Sequence, residues 1–273
     1  MIHWCQICHR YQGEIEPSQD YSLSFSPCAN CTAAGRTENE EKSVRSEMLR
    51  NFYQRLRKSA KDGLLGEASG LLYEGKRLGL VPQDLMMGLL QPMLHEVGEL
   101  WAHGELHVRQ EHRISFAVSA LFELFYAEFP EHSARRFAQH PDVLLMVSPS
   151  NRHFIGAQLV EYFLVAHDVT THLVLPGLPP EEIVELACEL QPRMIGISIS
   201  LVSQLTEIRK VTELLAFAGL HETPHICVGG SPILAGNKLD STGRMNVSEL
   251  RAPDQLLQML KHLPERATPR YQA

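Results

Sequence analysis

Four of the six cysteines fall into two short pairs, Cys5-x-x-Cys8 and Cys28-x-x-Cys31, with 19 residues between them. Thiolates at that spacing form the ligand set of a tetrahedral structural zinc site. Each pair makes a tight knuckle, and the intervening stretch can supply a small hairpin. A redox dithiol is the competing chemistry, but neither pair follows a strand in a βαβ pattern. Further along, Asn151-Arg-His153-Phe-Ile-Gly156 follows an apolar run. Then 41 residues separate Gly156 from Ser198-Ile-Ser200, and 28 separate Ser200 from Gly229-Gly230. A histidine in such a loop, taken alone, is a loop residue of an ordinary nucleotide-type fold. The three stretches together, each at the end of a strand-like segment, give it interest.

Three regions must position these residues. Residues 1–36 read as a zinc-ribbon-like module, too short to hold itself with an apolar core, so metal binding would supply its folding energy. Residues 37–43 form a polar linker. Residues 44–132 read as a four-helix bundle. Met48, Phe52 and Leu56 recur at helical spacing, followed by Leu64, Leu65, Ala68, Leu71 and Leu72. Pro82 opens a third helix through Leu85, Leu89, Met93 and Val97. A fourth runs from Val108 through Phe116, Leu121 and Phe125 and ends before Pro130. Over 142–264 the rhythm changes. The run 143–147 is continuously apolar, as a buried parallel strand requires, and strand-like and helix-like segments then alternate. That pattern predicts a doubly wound, Rossmann-like α/β domain closed by a helix over 251–262. The His153 loop lies at the carboxyl end of its first strand, where such folds bind ligands. Cys188 and Cys227 read as buried thiols. His132, His140, His167 and His172 read as exposed or satisfied residues.

The 151–156, 198–200 and 229–230 stretches resemble the signature of cobalamin-binding proteins, Asp-x-His-x-x-Gly, then Ser-x-Leu, then Gly-Gly. The resemblance implies that His153 is the lower axial ligand of cobalt, displacing the cofactor's own benzimidazole. Gly156, Gly229 and Gly230 would leave a slot for the displaced nucleotide tail, and Ser198 would offer it a hydroxyl. Two positions depart from the pattern. Asn151 stands where the family has Asp, an amide without charge, which makes His153 a less basic ligand. Ser200 stands where the family has Leu, with Leu201 next to it. In the helical region, Trp101 is followed by nine residues and then Glu111-His112. This resembles the cap of cobalamin-dependent, light-sensing transcriptional regulators. The likeness implies that the bundle covers the upper corrin face, with Trp101, Glu111 and His112 lining that pocket. A core Trp with a surface Glu-His pair is the plainer alternative. Those sensors carry a histidine directly after the Trp; here it is Ala102, with His103 and His107 nearby. They also carry a helix-turn-helix at their amino-terminal end, where this chain has its cysteines.

Composition narrows the field. A hydrophobic content of 44% suits globular cores, and a net charge of -7 argues against broad attraction to nucleic acid. No run of about 18 apolar residues indicates a membrane span. The start lacks the features of a signal peptide, so a cytoplasmic protein is expected. The expected function is a cobalamin-binding, light-responsive sensor rather than an enzyme. It would hold adenosylcobalamin, with the methyl or hydroxo forms as alternatives, and zinc. It would act on a transcription factor or signalling protein; a homo-oligomer is compatible, direct DNA binding is not expected. The alternatives are a corrinoid methyl-carrier subunit of a methyltransferase system and a haem-binding sensor of related fold.

Overall fold

The small sheet at the amino terminus is short, each strand having only four residues, and Cys5 ends its central strand. In the computed structural model, which describes residues 1–17, 20–62, 68–218, 220, 223–239 and 245–264, β1 (Ile2–Cys5) pairs antiparallel with β2 (Tyr11–Glu14) and parallel with β3 (Leu23–Ser26). The stretch between the cysteine pairs thus supplies β2 and β3, but not as a hairpin of its own: each pairs with β1, which lies between them. A short helix, α1 (Ala29–Ala33), carries Cys31. These elements and the helices that follow form one compact unit, Met1–Glu128; a second unit spans Phe129–Ala273.

Helix α2 (Glu40–Lys61) begins at Asn39, whose side chain accepts the Lys42 amide at 3.0 Å; acidic residues fill its first turn and lysines its last. That is the charge order the helix dipole favours. It buries Leu49, Phe52, Tyr53, Leu56 and Ala60, whereas Met48 lies on its exposed face. Helix α3 (Ala68–Arg77) follows; Leu64 and Leu65 lie outside the described residues. Pro82 does open the next helix, but not a uniform one. Helix α4 (Pro82–Leu85) passes through a π-helical segment (Met86–Leu90) into α5 (Gln91–Ala102). Pro92 has no N–H to give the Gly88 carbonyl, and its ring would crowd it. A wider turn relieves both problems. Helix α6 (Val108–Glu128) ends just before Pro130 as its sequence suggests. Its core face is Ile114, Val118, Leu121, Phe122 and Phe125. Phe116, expected in the apolar pattern, is 78% exposed. It stands off the stripe that Ile114, Val118 and Leu121 define at three- and four-residue spacing. Helices α2 and α5 are tied by Arg57, which grips Glu96 at 2.7 and 2.6 Å, and by Lys61 at 2.9 Å from the same carboxylate.

The second unit opens with α7 (Pro130–Ser133) and then alternates: β4 (Val143–Val147), α8 (Ile155–Val165), β5 (Thr171–Val174), α9 (Pro180–Leu190), β6 (Met194–Ser198), α10 (Leu205–Phe217), β7 (His225–Gly229), α11 (Ser231–Leu234), β8 (Val247–Leu250) and α12 (Asp254–His262). All five strands are parallel, in the order β5-β4-β6-β7-β8. This is the Rossmann-like sheet that the alternation predicts. Its order reverses between β4 and β6, so the loops after those strands diverge and leave a crevice at the carboxyl edge. Leu144, Met146, Ile195, Ile197, Ile226 and Val228 pack with Ile183, Ala187, Ile208, Val211 and Leu215 of α9 and α10 in one cluster. Cys227 is buried within this unit as expected; Cys188 is only partly so.

Candidate functional site

The crevice in the parallel sheet is built by polar residues reaching across it. Asn151 is 2% exposed. Its Oδ1 accepts the His153 amide at 3.0 Å, and its Nδ2 donates to the Ser198 carbonyl at 3.1 Å. The same carbonyl accepts the Ser148 amide at 3.0 Å. The amide that departs from the Asp pattern therefore staples the His153 loop to the end of β6, through a donor that a carboxylate lacks. His153 itself is partly exposed just before α8.

Two residues that the sequence pattern does not single out complete the frame. Glu207, in the first turn of α10, accepts from the Ser148 hydroxyl and from the Ser150 amide at 3.1 Å. Burial would raise its carboxyl, but these hydrogen bonds outweigh burial and hold it below the ordinary glutamate value. Gln204, 1% exposed, accepts the Ser200 amide at 2.7 Å and the Leu201 amide at 3.1 Å, and its Nε2 reaches the Ser150 hydroxyl at 3.4 Å. The only local signal is a polar opening to α10 after the Ser198–Ser200 stretch. Ser200 thus acts through its backbone, while Leu201 is exposed.

The glycines divide by role. A Cβ added at Gly156 would meet only the Ser198 hydroxyl, at 3.6 Å. At Gly229 it would meet the Leu250 carbonyl at 3.3 Å. Gly230 has φ +124°, and a Cβ there would lie 1.9 Å from the Ile199 carbonyl oxygen. Gly230 is a necessity of the backbone; Gly156 keeps room beside Ser198.

In the helical unit, Trp101 ends α5 and is 36% exposed. Glu111 opens α6; its carboxylate accepts the Ser115 hydroxyl at 2.6 Å and lies 2.7 Å from Nδ1 of the exposed His112. His103 Nδ1 contacts the Glu99 carbonyl at 2.7 Å at the end of α5. Glu111 and His112 are therefore one polar pair.

The four amino-terminal cysteines do come together. Their sulfurs all lie within 4.8 Å of one another. Cys5 Sγ accepts backbone N–H groups from Ile7, Cys8 and Cys28 at 3.3–3.5 Å. Burial opposes ionisation, yet those donors bring the Cys5 thiol down to about 6, while burial and neighbouring sulfur push Cys8 up to about 12. Four sulfurs gathered in this way are the donor set of a thiophilic metal ion.

One likeness lies in the helices from α2 through most of α6. Residues 48–125 match the B12 binding domain family. Among curated relatives, dimethylamine corrinoid protein 1 of Methanosarcina acetivorans is 28% identical over 153 residues, 56% of this chain and 71% of that protein. Dimethylamine corrinoid protein 2 of Methanosarcina mazei is 24% identical over 190 residues, 70% of this chain and 86% of that protein. The structure of the Methanosarcina barkeri monomethylamine corrinoid protein superposes with a TM-score of 0.62 at 16% identity, covering 77% of this chain and 96% of that one, and so shares its fold. The chain is similar in sequence to corrinoid proteins over half to two thirds of its length. These relatives overturn the expectation of a light-responsive regulator of transcription, and with it the transcription-factor partner. Trp101 at the end of α5 and Glu111-His112 in the first turn of α6 lie inside the stretch that matches the B12 binding domain family, and their pattern alone does not carry a light-sensing role. No described helix is long and apolar enough to cross a membrane.

Proposed function

We propose that this chain binds a corrinoid and serves as a methyl carrier, with His153 as the lower ligand to cobalt. The observation that carries this reading is the room beside Ser198. A methyl group placed on Gly156 would face that hydroxyl with nothing else within 4 Å, next to a histidine loop pinned by Asn151. A bulky nucleotide tail needs such a cradle, and cobalt suits a neutral imidazole, so the residues present fit the group. When bound, a corrinoid supplies a cobalt centre that can hold a methyl group and release it.

The chain's own residues would do the rest. Asn151, Gln204 and Glu207 hold the loops after β4 and β6 in place. Gly229 and Gly230 keep the end of β7 narrow, and Ser198 offers a hydroxyl to the tail. Methyltransferase proteins are the proposed partners, because a carrier requires a donor and an acceptor. Cys5, Cys8, Cys28 and Cys31 belong to the amino-terminal unit, and we assign them one structural zinc ion.

The test is equilibrium binding of methylcobalamin to the full chain and to His153→Ala, followed by absorbance. The expected result is a base-off, histidine-on spectrum in the native chain that His153→Ala loses. Identical spectra and affinities would remove His153 from the cobalt. A native chain that binds no cobalamin would sink the reading as a whole.

A further inference from the structure

The cysteine cluster is close to the dimensions of a filled site, its four sulfurs all within 4.8 Å of one another. Cys8 Sγ and Cys28 Sγ are 3.9 Å apart, far beyond the roughly 2.05 Å of a disulfide. A tetrahedral zinc with Zn–S bonds of about 2.3 Å sets its sulfurs about 3.8 Å from one another. The three backbone donors on Cys5 Sγ neutralise thiolate charge around such an ion.

The residues that flank this knuckle are committed to the helices. Trp4, fully buried beside Cys5, lies against Gly88 in the π-helical segment; a Cβ there would fall 2.5 Å from Trp4 Cζ2 and 3.0 Å from Tyr11 Cβ. His9, 3% exposed with φ +54°, sets Nε2 2.9 Å from the Lys42 carbonyl and 3.2 Å from the Ser46 hydroxyl of α2. Arg10 pairs with the buried Asp84 of α4 at 2.8 Å. Beyond the hairpin, Tyr21 donates to Glu99 of α5 at 2.9 Å. Three strands of four residues cannot hold those side chains at fixed positions by themselves.

We propose that the ion on Cys5, Cys8, Cys28 and Cys31 is the clamp of the whole helical unit: it fixes the knuckle against which α2, α4 and the π-helical segment pack, so that the helices matching the B12 binding domain depend on zinc for their stability. This rests on the zinc assignment made above. It differs from a self-contained zinc ribbon, whose loss would leave the helices standing.

The experiment uses the full chain. Bound metal is quantified after purification, then removed with a thiol reagent and chelator under reducing recovery, and thermal unfolding is followed by circular dichroism before and after zinc is restored. One zinc per chain is expected. Its removal should lower the melting of the helical unit by about 10 °C or more, and added zinc should restore it. Trp4→Ala, which keeps all four ligands, should retain zinc and still lower the same transition. No bound zinc and no uptake, or iron in its place, overturns the zinc assignment and the clamp with it. Zinc that is bound but leaves helical melting unchanged on removal overturns the clamp alone, as does native stability in Trp4→Ala.

Discussion

At the scale of single residues the site is a set of hydrogen bonds with defined direction, and these make sharp expectations. Asn151→Asp replaces the Nδ2 donor with an oxygen facing the Ser198 carbonyl in a buried position. Burial and that carbonyl both favour the protonated acid, so the folded pKa rises above the unfolded value. The variant should therefore match the native protein best in acid and lose stability as pH rises through the raised pKa. Melting curves at about pH 5 and about pH 8 check this; a deficit equal at both would show that charge is not the cause. Glu207 has the opposite sign. Its folded pKa is depressed below 4.5, so its contribution is present above that value and fades as pH falls through the lower folded one. Glu207→Gln keeps an oxygen that can accept both donors, so it should remove that acid dependence and cost only about 1 kcal/mol at neutral pH through loss of charge assistance, read from denaturant unfolding across pH. Gly230→Ala should cost more than about 2 kcal/mol, because the backbone there is left-handed and the methyl has no space. The His153 loop is legible in the sequence because it follows an apolar strand at once. Glu207 and Gln204 are not, because they act on Ser148 and Ser150 across more than fifty residues of chain, and no local period pairs them.

At the scale of elements, the period of the apolar residues finds most of the helices and nearly every parallel strand, since buried strands show as continuous apolar runs. What it misses follows from physics that period does not carry. Strand β8 (VSEL) is half-exposed along its length, so its composition resembles a loop. The π-helical segment arises from Pro92 acting one turn back, within a run that reads as uninterrupted helix. Phe116 matches the helical spacing loosely and sits outside the core stripe. The contact between α2 and α5 rests on a carboxylate that is mostly buried between two cations: burial would raise Glu96, but Arg57 and Lys61 more than offset it and hold it low. Glu96→Ala should leave Arg57 without its partner at a site where its side chain is 25% exposed. A loss of about 1–3 kcal/mol is expected, less than for a fully buried pair. Chemical denaturation of the helical unit would read it, and an unchanged midpoint would mean that the pair is replaced by water at no cost.

At the scale of the whole molecule, chemistry and compactness divide along the same line. The bonds that pin the His153 loop, from Asn151 to Ser198, Ser148 to Glu207 and Gln204 to Ser150, lie within Phe129–Ala273. The bonds that tie the cysteine knuckle to helices lie within Met1–Glu128. The second unit also has its own five-stranded sheet and its own apolar cluster, and a segment of its size buries enough surface to fold unaided. Residues 129–273 expressed alone should therefore fold, give a cooperative melt, and still show the His153-dependent change in the cobalamin spectrum, lost in His153→Ala of the same fragment. Chelation should leave that melt unmoved, because the zinc ligands are on the other unit. A fragment that fails to fold, or folds without any His153-dependent spectrum, would mean that the imidazole is presented to cobalt only with the amino-terminal unit in place, and that the ligand geometry is not a property of the parallel sheet and its loops.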